Sequence, residues 1–270
     1  MTILRLTDRS VSGRVYAAPR VDAKAHPAAL PGSGKDRTLI GPRRGDIGMD
    51  EMNFERARYN MIEQQIRPWS VLDPAVLHVL GSLPRERFVP PAYRRLAYSD
   101  TRIPLDHGQT MMPPVVEGRL LQALELAGDE HVLEIGTGSG YLTACLAGMA
   151  HAVTSVDIHE DFTASARERL VELGIDNVTL ATGDAAAGWN GGHRFDAIAL
   201  TGAVPEVADA YREALTPGGR LFAIIGAADQ PVMEAVQVTR VGDREWSVES
   251  LFDTWIAPLV NNRRPPRFRF

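Results

Sequence analysis

The sequence predicts an α/β fold: a doubly wound, mostly parallel seven-stranded sheet that ends in an antiparallel hairpin, preceded by a helical region. Three observations predict it. From residue 131 onward, short apolar runs alternate with helical stretches, the pattern of a parallel sheet covered on both faces. The first apolar run leads into a glycine-rich turn and then a helix. The last two β-rich runs, Val232–Val241 and Trp246–Ile256, have no helix between them and meet at Gly242-Asp243, a hairpin signal.

Residues 1–51 are net basic and rich in proline and glycine (Pro19, Pro27, Pro31, Gly32, Gly34, Gly41, Pro42, Gly45), and hold no lasting periodicity. They read as a disordered extension. One reading is an upstream start, with Met49 or Met52 beginning the natural protein; a targeting or partner-binding arm is another. Residues 52–127 form a helical region. Phe54, Ala57, Met61, Ile62 and Ile66 recur at helical spacing from about Asn53. Asp73 reads as an N-cap, with Pro74 at the first helical position and Val76, Leu77 and Leu80 on one face. A turn-rich connection from Pro90 to Pro104 follows, then a helix from Pro114 to Leu126.

Residues 128–260 form the sheet domain. Strands are expected at His131–Ile135, Ala152–Val156, Val178–Ala181, Ala197–Leu200 and Arg220–Ile225, and helices at 140–149, 160–173 and 206–215. Pro217-Gly218-Gly219 reads as a turn before the fifth strand. Residues 261–270 (NNRRPPRFRF) read as a loose basic tail.

Composition narrows the function. The formal net charge is −5 and the pI about 5.8, with no electrostatic footprint for nucleic acid or an anionic membrane. No apolar run approaches the roughly 18 residues that span a bilayer. The single cysteine, Cys145, excludes an intramolecular disulfide, and the expected location is cytoplasmic. No zinc-type Cys/His cluster, G-x-S-x-G elbow or H-E-x-x-H motif occurs, so no metal is expected; His107 is the histidine nearest a suspected site and receives no role.

The strongest chemical signal is Val132-Leu133-Glu134-Ile135-Gly136-Thr137-Gly138-Ser139-Gly140-Tyr141. Glycines let the turn bend tightly and let a ligand approach the backbone, and the helix behind them offers free N–H groups. A dinucleotide loop would read G-x-G-x-x-G; here the third glycine comes one residue early and Tyr141 fills the later slot. Glu134 precedes the loop, and a carboxylate suits a ligand bearing a charged amino group. That favours S-adenosylmethionine over a nicotinamide cofactor. Asp157, at the end of the second strand, can accept from ribose hydroxyls or serve as a helix cap. In Gly183-Asp184-Ala185, after the third strand, Asp184 can accept from the adenine amine while Ala185 offers its N–H; a simple turn is the alternative.

At this point the residues match a known family. The chain resembles protein-L-isoaspartate O-methyltransferase from about Met61 to Leu259, and the predicted outline is that of the Rossmann-like methyltransferase fold. The resemblance rests on an ordered series: Met61-Ile62-Glu63-Gln64-Gln65-Ile66, Pro84-Arg85-Glu86-Arg87-Phe88-Val89-Pro90, Ala97-Tyr98-Ser99-Asp100, Ile103-Pro104-Leu105 with Gly108-Gln109-Thr110, the glycine loop, Asn177-Val178, Gly183-Asp184, Gly188-Trp189, Phe195-Asp196, Pro217-Gly218-Gly219-Arg220-Leu221 and Pro258-Leu259. It implies S-adenosylmethionine-dependent methylation of isoaspartyl carboxyl groups in damaged proteins or peptides. It also implies that Gly136, Gly138, Asp157, Asp184 and their neighbours Thr137, Ser139, Gly140, Ile158 and Ala185 hold the cofactor.

One departure bears on activity. The family's substrate loop reads like Gly-Gln-Thr-Ile-Ser-Gln-Pro, whereas this chain has Gly108-Gln109-Thr110-Met111-Met112-Pro113-Pro114, placing Met112 where the family has its active-site serine. A methionine cannot donate a hydrogen bond to an incoming carboxylate. Thr110 or backbone N–H groups are the remaining donors. The exchange leaves open a methyltransferase with a different acceptor, or a cofactor-binding regulator without turnover.

Overall fold

The computed structural model of the protein describes residues 46–189 and 192–262; residues 1–45 of the expected extension and 263–270 of the tail lie outside the described residues. A helix α1 (Asp46–Met61) runs on through a π-helical turn, Ile62–Ile66, and a 3-10 turn, Arg67–Trp69. Its start at Asp46 lies seven residues before the expected start, within the stretch read as disordered. Met61 and Ile66 are buried, with Phe54, Ala57 and Ile62 half-buried against them, so the predicted apolar face is the packed one. Helix α2 (Pro74–Ser82) is capped as its sequence requires: Asp73 accepts from the Ala75 N–H at 2.7 Å. Two short strands, β1 (Ile103–Pro104) and β2 (Thr110–Met111), pair antiparallel around a 3-10 turn at Asp106–Gly108. Helix α3 (Pro114–Leu124) then buries Leu120, Leu121 and Leu124 completely; each such side chain is worth about 1.5–3 kcal/mol of removed apolar surface. Glu125, left-handed at φ 47°, ends α3 two residues short of the expected Leu126.

The sheet domain comprises β3 (His131–Ile135), α4 (Tyr141–Ala147), β4 (Ala152–Asp157), α5 (Glu160–Glu172), β5 (Val178–Thr182), β6 (Phe195–Leu200), α6 (Asp209–Ala214), β7 (Leu215–Ile225), β8 (Met233–Arg240) and β9 (Trp246–Thr254). The strands order as β5-β4-β3-β6-β7-β8-β9, with parallel pairing as far as β7 and antiparallel pairing beyond it. Strand alternation feeds two cores. Val132, Ala197, Ala199, Phe222 and Ile224 point to the face covered by α3 and α4, while Leu133, Ile135, Ile198, Leu200, Leu221 and Ala223 point to the face holding Tyr211 of α6.

Two connections differ from expectation. Pro217-Gly218-Gly219 lies inside β7 as a bulge: Leu215 pairs with Phe195, and the next pair is Arg220 with Ala197. The final hairpin closes through Val241–Glu245, a wider loop than Gly242-Asp243 alone. Arg240 is the reason. Its buried guanidinium donates to the carbonyls of Gly242, Asp243 and Leu215, so the loop wraps around a side chain. Helix α6 is also shorter than 206–215, because Ala208 is extended (ψ 142°) and Leu215 already belongs to β7.

Candidate functional site: a cleft at the switch point of the sheet

From β3 the chain moves outward to β4 and β5 on one side, then returns to β6 and β7 on the other. At this reversal the connections diverge and leave a crevice at the carboxyl ends of the strands, where α/β sheets bind ligands. The glycine turn sits there. Gly136, Gly138 and Gly140 have φ of 101°, 50° and 82°, all in the left-handed region. A side chain at Gly136 would place its Cβ 2.1 Å from the Thr201 hydroxyl, which lies 2.8 Å from the carbonyls of both Ile135 and Gly136. At Gly140 a Cβ would meet that of Ala166 at 2.8 Å, so this glycine lets the turn pack on α5.

The acids at the strand tips divide into different roles. Asp157 ends β4 and turns back to the loop: Oδ2 accepts from the Gly138 N–H at 2.9 Å and Oδ1 from the His159 N–H at 3.0 Å. Both oxygens therefore brace the backbone, and each keeps a second lone pair for a ligand. Asp184 is exposed at the cleft mouth, where Oδ1 accepts from the Ala186 N–H and Oδ2 from the Asn261 amide. Those bonds, the Ala186 one first, hold its carboxyl below the usual range. Glu134 corrects the sequence reading. It lies fully buried beneath the turn, where Oε2 accepts from Thr143 at 2.5 Å and Ser155 at 2.6 Å, and it does not line the cleft. Burial pushes its pKa up to about 8, and its second oxygen, Oε1, is buried with no hydrogen-bond partner.

The near wall is the β1–β2 turn and the residues after it. Met112 is 6% exposed, and its carbonyl accepts from Arg85 Nη2 at 2.7 Å. Arg85 is completely buried. It also donates from Nε to the Ala97 carbonyl at 2.8 Å and from Nη1 to Glu117 Oε2 at 2.6 Å, and its guanidinium lies 4.7 Å from the Tyr141 ring centroid. One cation thus fastens Met112, α3 and the preceding connection together. Desolvation raises the pKa of Glu117 to about 7 despite that partner.

The far wall comes from the chain's other end. The exit of β6 and the 256–260 segment exchange backbone bonds: the Ala203 N–H reaches the Ala257 carbonyl, and the Leu259 N–H the Ala203 carbonyl, both at 3.0 Å. Asn262 donates to the same Ala203 carbonyl and Asn261 to Asp184. Asn261 and Asn262, read as the start of a loose tail, are therefore tied to the site.

The cleft encloses about 880 Å³ of empty space, open solvent at its mouth included. It brings together Thr110, Met112, Gly136, Thr137, Gly138, Ser139, Asp157, Ile158, Asp184 and Ala185; Glu134 and Gly140 stay outside it. Sequence reasoning missed Glu117, Ile256, Leu259 and the Arg85 anchor. Among the described residues its lining carries three acidic side chains, Glu117 (paired with the buried Arg85), Asp157 and Asp184, and no lysine or arginine. That field suits a cation such as a sulfonium, and the glycine cradle suits a ligand pressed against backbone.

The family model for protein-L-isoaspartate(D-aspartate) O-methyltransferase matches residues 56–264. The chain belongs to that family. A protein-L-isoaspartate O-methyltransferase of Brucella anthropi is 36% identical over 214 residues, covering 79% of this chain and 98% of the relative. One of Rhodopseudomonas palustris is 38% identical, covering 82% and 90%. A Plasmodium falciparum protein of the same description, solved with S-adenosyl-L-homocysteine, shares the fold at a TM-score of 0.64 and 20% identity, covering 77% of this chain and 99% of that one. Among the described residues, no helix is long and apolar enough to cross a membrane.

Proposed function

We propose that the protein is an S-adenosylmethionine-dependent O-methyltransferase of protein carboxyl groups, with L-isoaspartyl residues of proteins or peptides as the acceptors, working in the cytoplasm. The observation that carries this reading is the convergence of the Gly136–Gly138 backbone, Asp157 and Asp184 on one cleft at the sheet's switch point, whose lining among the described residues holds no lysine or arginine. Gly136, Thr137, Gly138 and Ser139 would hold the amino-acid end of the cofactor, Asp157 and Ile158 the ribose, and Asp184 and Ala185 the base. When bound, the cofactor supplies an electrophilic methyl group on a positively charged sulfur. The residues 128–260 serve as the cofactor half and 52–127 as the acceptor half.

The acceptor carboxylate, whose ordinary pKa is roughly 4, is ionised at neutral pH and needs no general base. Its oxygen takes the methyl and the C–S electron pair stays with sulfur, so no proton moves. The protein's task is to align oxygen, carbon and sulfur and to exclude water, which can contribute roughly 7–11 kcal/mol. Leu105, Thr110, Met111 and Met112 on one side and Ile256, Leu259 and Val260 on the other form the largely apolar walls for this. Thr110 is the hydroxyl on the acceptor side, and Met112 narrows the pocket without donating.

Incubation with radiolabelled S-adenosylmethionine and an isoaspartyl peptide tests the reading. A base-labile methyl ester that disappears with Asp184→Ala supports it; no label above that variant removes it. Base-stable label on another acceptor would instead favour a changed substrate, the reading that Met112 and the carboxylate of Glu117 in the cleft motivate.

A further inference from the structure

The turn between β1 and β2 reaches across the cleft mouth to the start of α5 and ends in a cluster for which the proposed reaction has no use. His107 Nε2 lies 2.8 Å from Asp161 Oδ2. The His107 ring stacks on that of His159, with centroids 3.9 Å apart and planes 5° from parallel. Phe162 meets both rings edge-on at 5.4 and 5.5 Å. One ring nitrogen from each histidine and one oxygen of Asp161 lie within 4.8 Å of one another. His107 holds a left-handed backbone, φ 56°, which a non-glycine residue adopts at a cost. His159 Nε2 is sealed from solvent with no hydrogen-bond partner. A buried imidazole nitrogen in that condition is costly unless something supplies a partner.

We propose that His107, His159 and Asp161 form a binding site for a divalent transition-metal ion. Two imidazoles and a carboxylate are the donor set of Zn²⁺ and its neighbours, not of Mg²⁺ or Ca²⁺, which take oxygen ligands. A tetrahedral ion with bonds of about 2.1 Å spaces its ligands about 3.4 Å apart, so the cluster must contract slightly. An ion must also lie in the plane of each imidazole it binds, which two stacked parallel rings do not permit. The stack is therefore the ion-free arrangement, and His107, 40% exposed on a surface turn, is the ring that swings out of it. The exposed side leaves a fourth position for water. Leu105 and Gln109 flank one side of this bridge and Phe162 the other, all lining the cleft. A bound ion would thus tie the β1–β2 turn to α5 across the ligand's exit.

Titration calorimetry of ZnCl₂ into tag-free, EDTA-treated and dialysed protein tests the site without reference to methyl transfer. One saturable site is expected near pH 7.5, weakened about tenfold or more by His107→Ala and by His159→Ala. His193→Ala, an exposed histidine elsewhere, should leave it unchanged. Should His107→Ala not fold by circular dichroism, His107→Gln replaces it, and the Co²⁺ absorption band of the wild type reports the same ligand set. No saturable binding below about 100 µM, or binding equally tight in both histidine variants, overturns the site.

Discussion

Arg85 is the residue whose removal tests most of this architecture at once. Its guanidinium is wholly buried and serves Glu117, Met112 and Ala97 together. Arg85→Ala leaves the carboxylate of Glu117, 2% exposed, without a partner, and breaking a buried pair in this way costs about 3–5 kcal/mol. For a domain of roughly 5–15 kcal/mol total stability, that should lower the urea midpoint by about 2 M. Arg85→Met with Glu117→Leu removes both charges and should restore most of the midpoint, since apolar replacement of a buried pair is near neutral or better. It should not restore activity. The Met112 carbonyl would still lack its charged donor, worth about 1.5–3 kcal/mol, which predicts a kcat/KM about 10- to 150-fold below wild type. Urea denaturation followed by fluorescence and the isoaspartyl-peptide assay read the two quantities. A wild-type midpoint for Arg85→Ala, or full activity in the double variant, would refute the assignment of Arg85 as the anchor of the acceptor wall. The pair also has a pH signature. The Glu117 pKa is raised in the folded state from 4.5 to about 7, so the native protein binds the extra proton and stability falls as pH rises between those values. Glu117→Gln should flatten that window.

Other outcomes follow from the same geometry. Gly136→Ala should abolish S-adenosylhomocysteine binding in calorimetry while leaving a folded protein of reduced stability, because its Cβ would sit 2.1 Å from the Thr201 hydroxyl. Glu134→Gln should match wild-type stability at pH 7, since the native group is already protonated there; a loss above about 3 kcal/mol would mean that Glu134 is buried as an anion. Met112→Ser, which returns a donor to the acceptor side, should raise kcat/KM on an isoaspartyl peptide by about 10- to 150-fold, and no change would assign the hydrogen bond to Thr110 or the backbone. Asn261→Ala should weaken S-adenosylhomocysteine binding through loss of its bond to Asp184, read as a higher Kd with unchanged urea midpoint.

The parts of the site that lie within one strand-turn-helix unit were legible in the sequence. The glycines after Ile135 carry their own signal, since only glycine tolerates the left-handed positions, and Asp157 and Asp184 stand where strands end. Glu134 is only half legible: its position before the loop is readable, whereas its burial under Thr143 and Ser155 depends on packing from β4 and α4. Arg85 and Glu117 are 32 residues apart and joined only by the tertiary fold. The same holds for Ile256–Val260, whose composition says nothing of the cleft, although Pro258-Leu259 already stood among the family motifs. The final hairpin is legible from Gly242-Asp243 between two β-rich runs, whereas the Arg240 side chain that fills its loop is not.

The far wall of the cleft has a kinetic meaning. Among the described residues that line the cleft, 256–260 emerge last from the ribosome, and they face a turn made about 150 positions earlier. Closing so long a loop is entropically late, so the ligand pocket should be among the final features to mature during folding. The glycine cradle alone would then be half a binding site, and S-adenosylhomocysteine affinity becomes a stopwatch for completion of the whole chain.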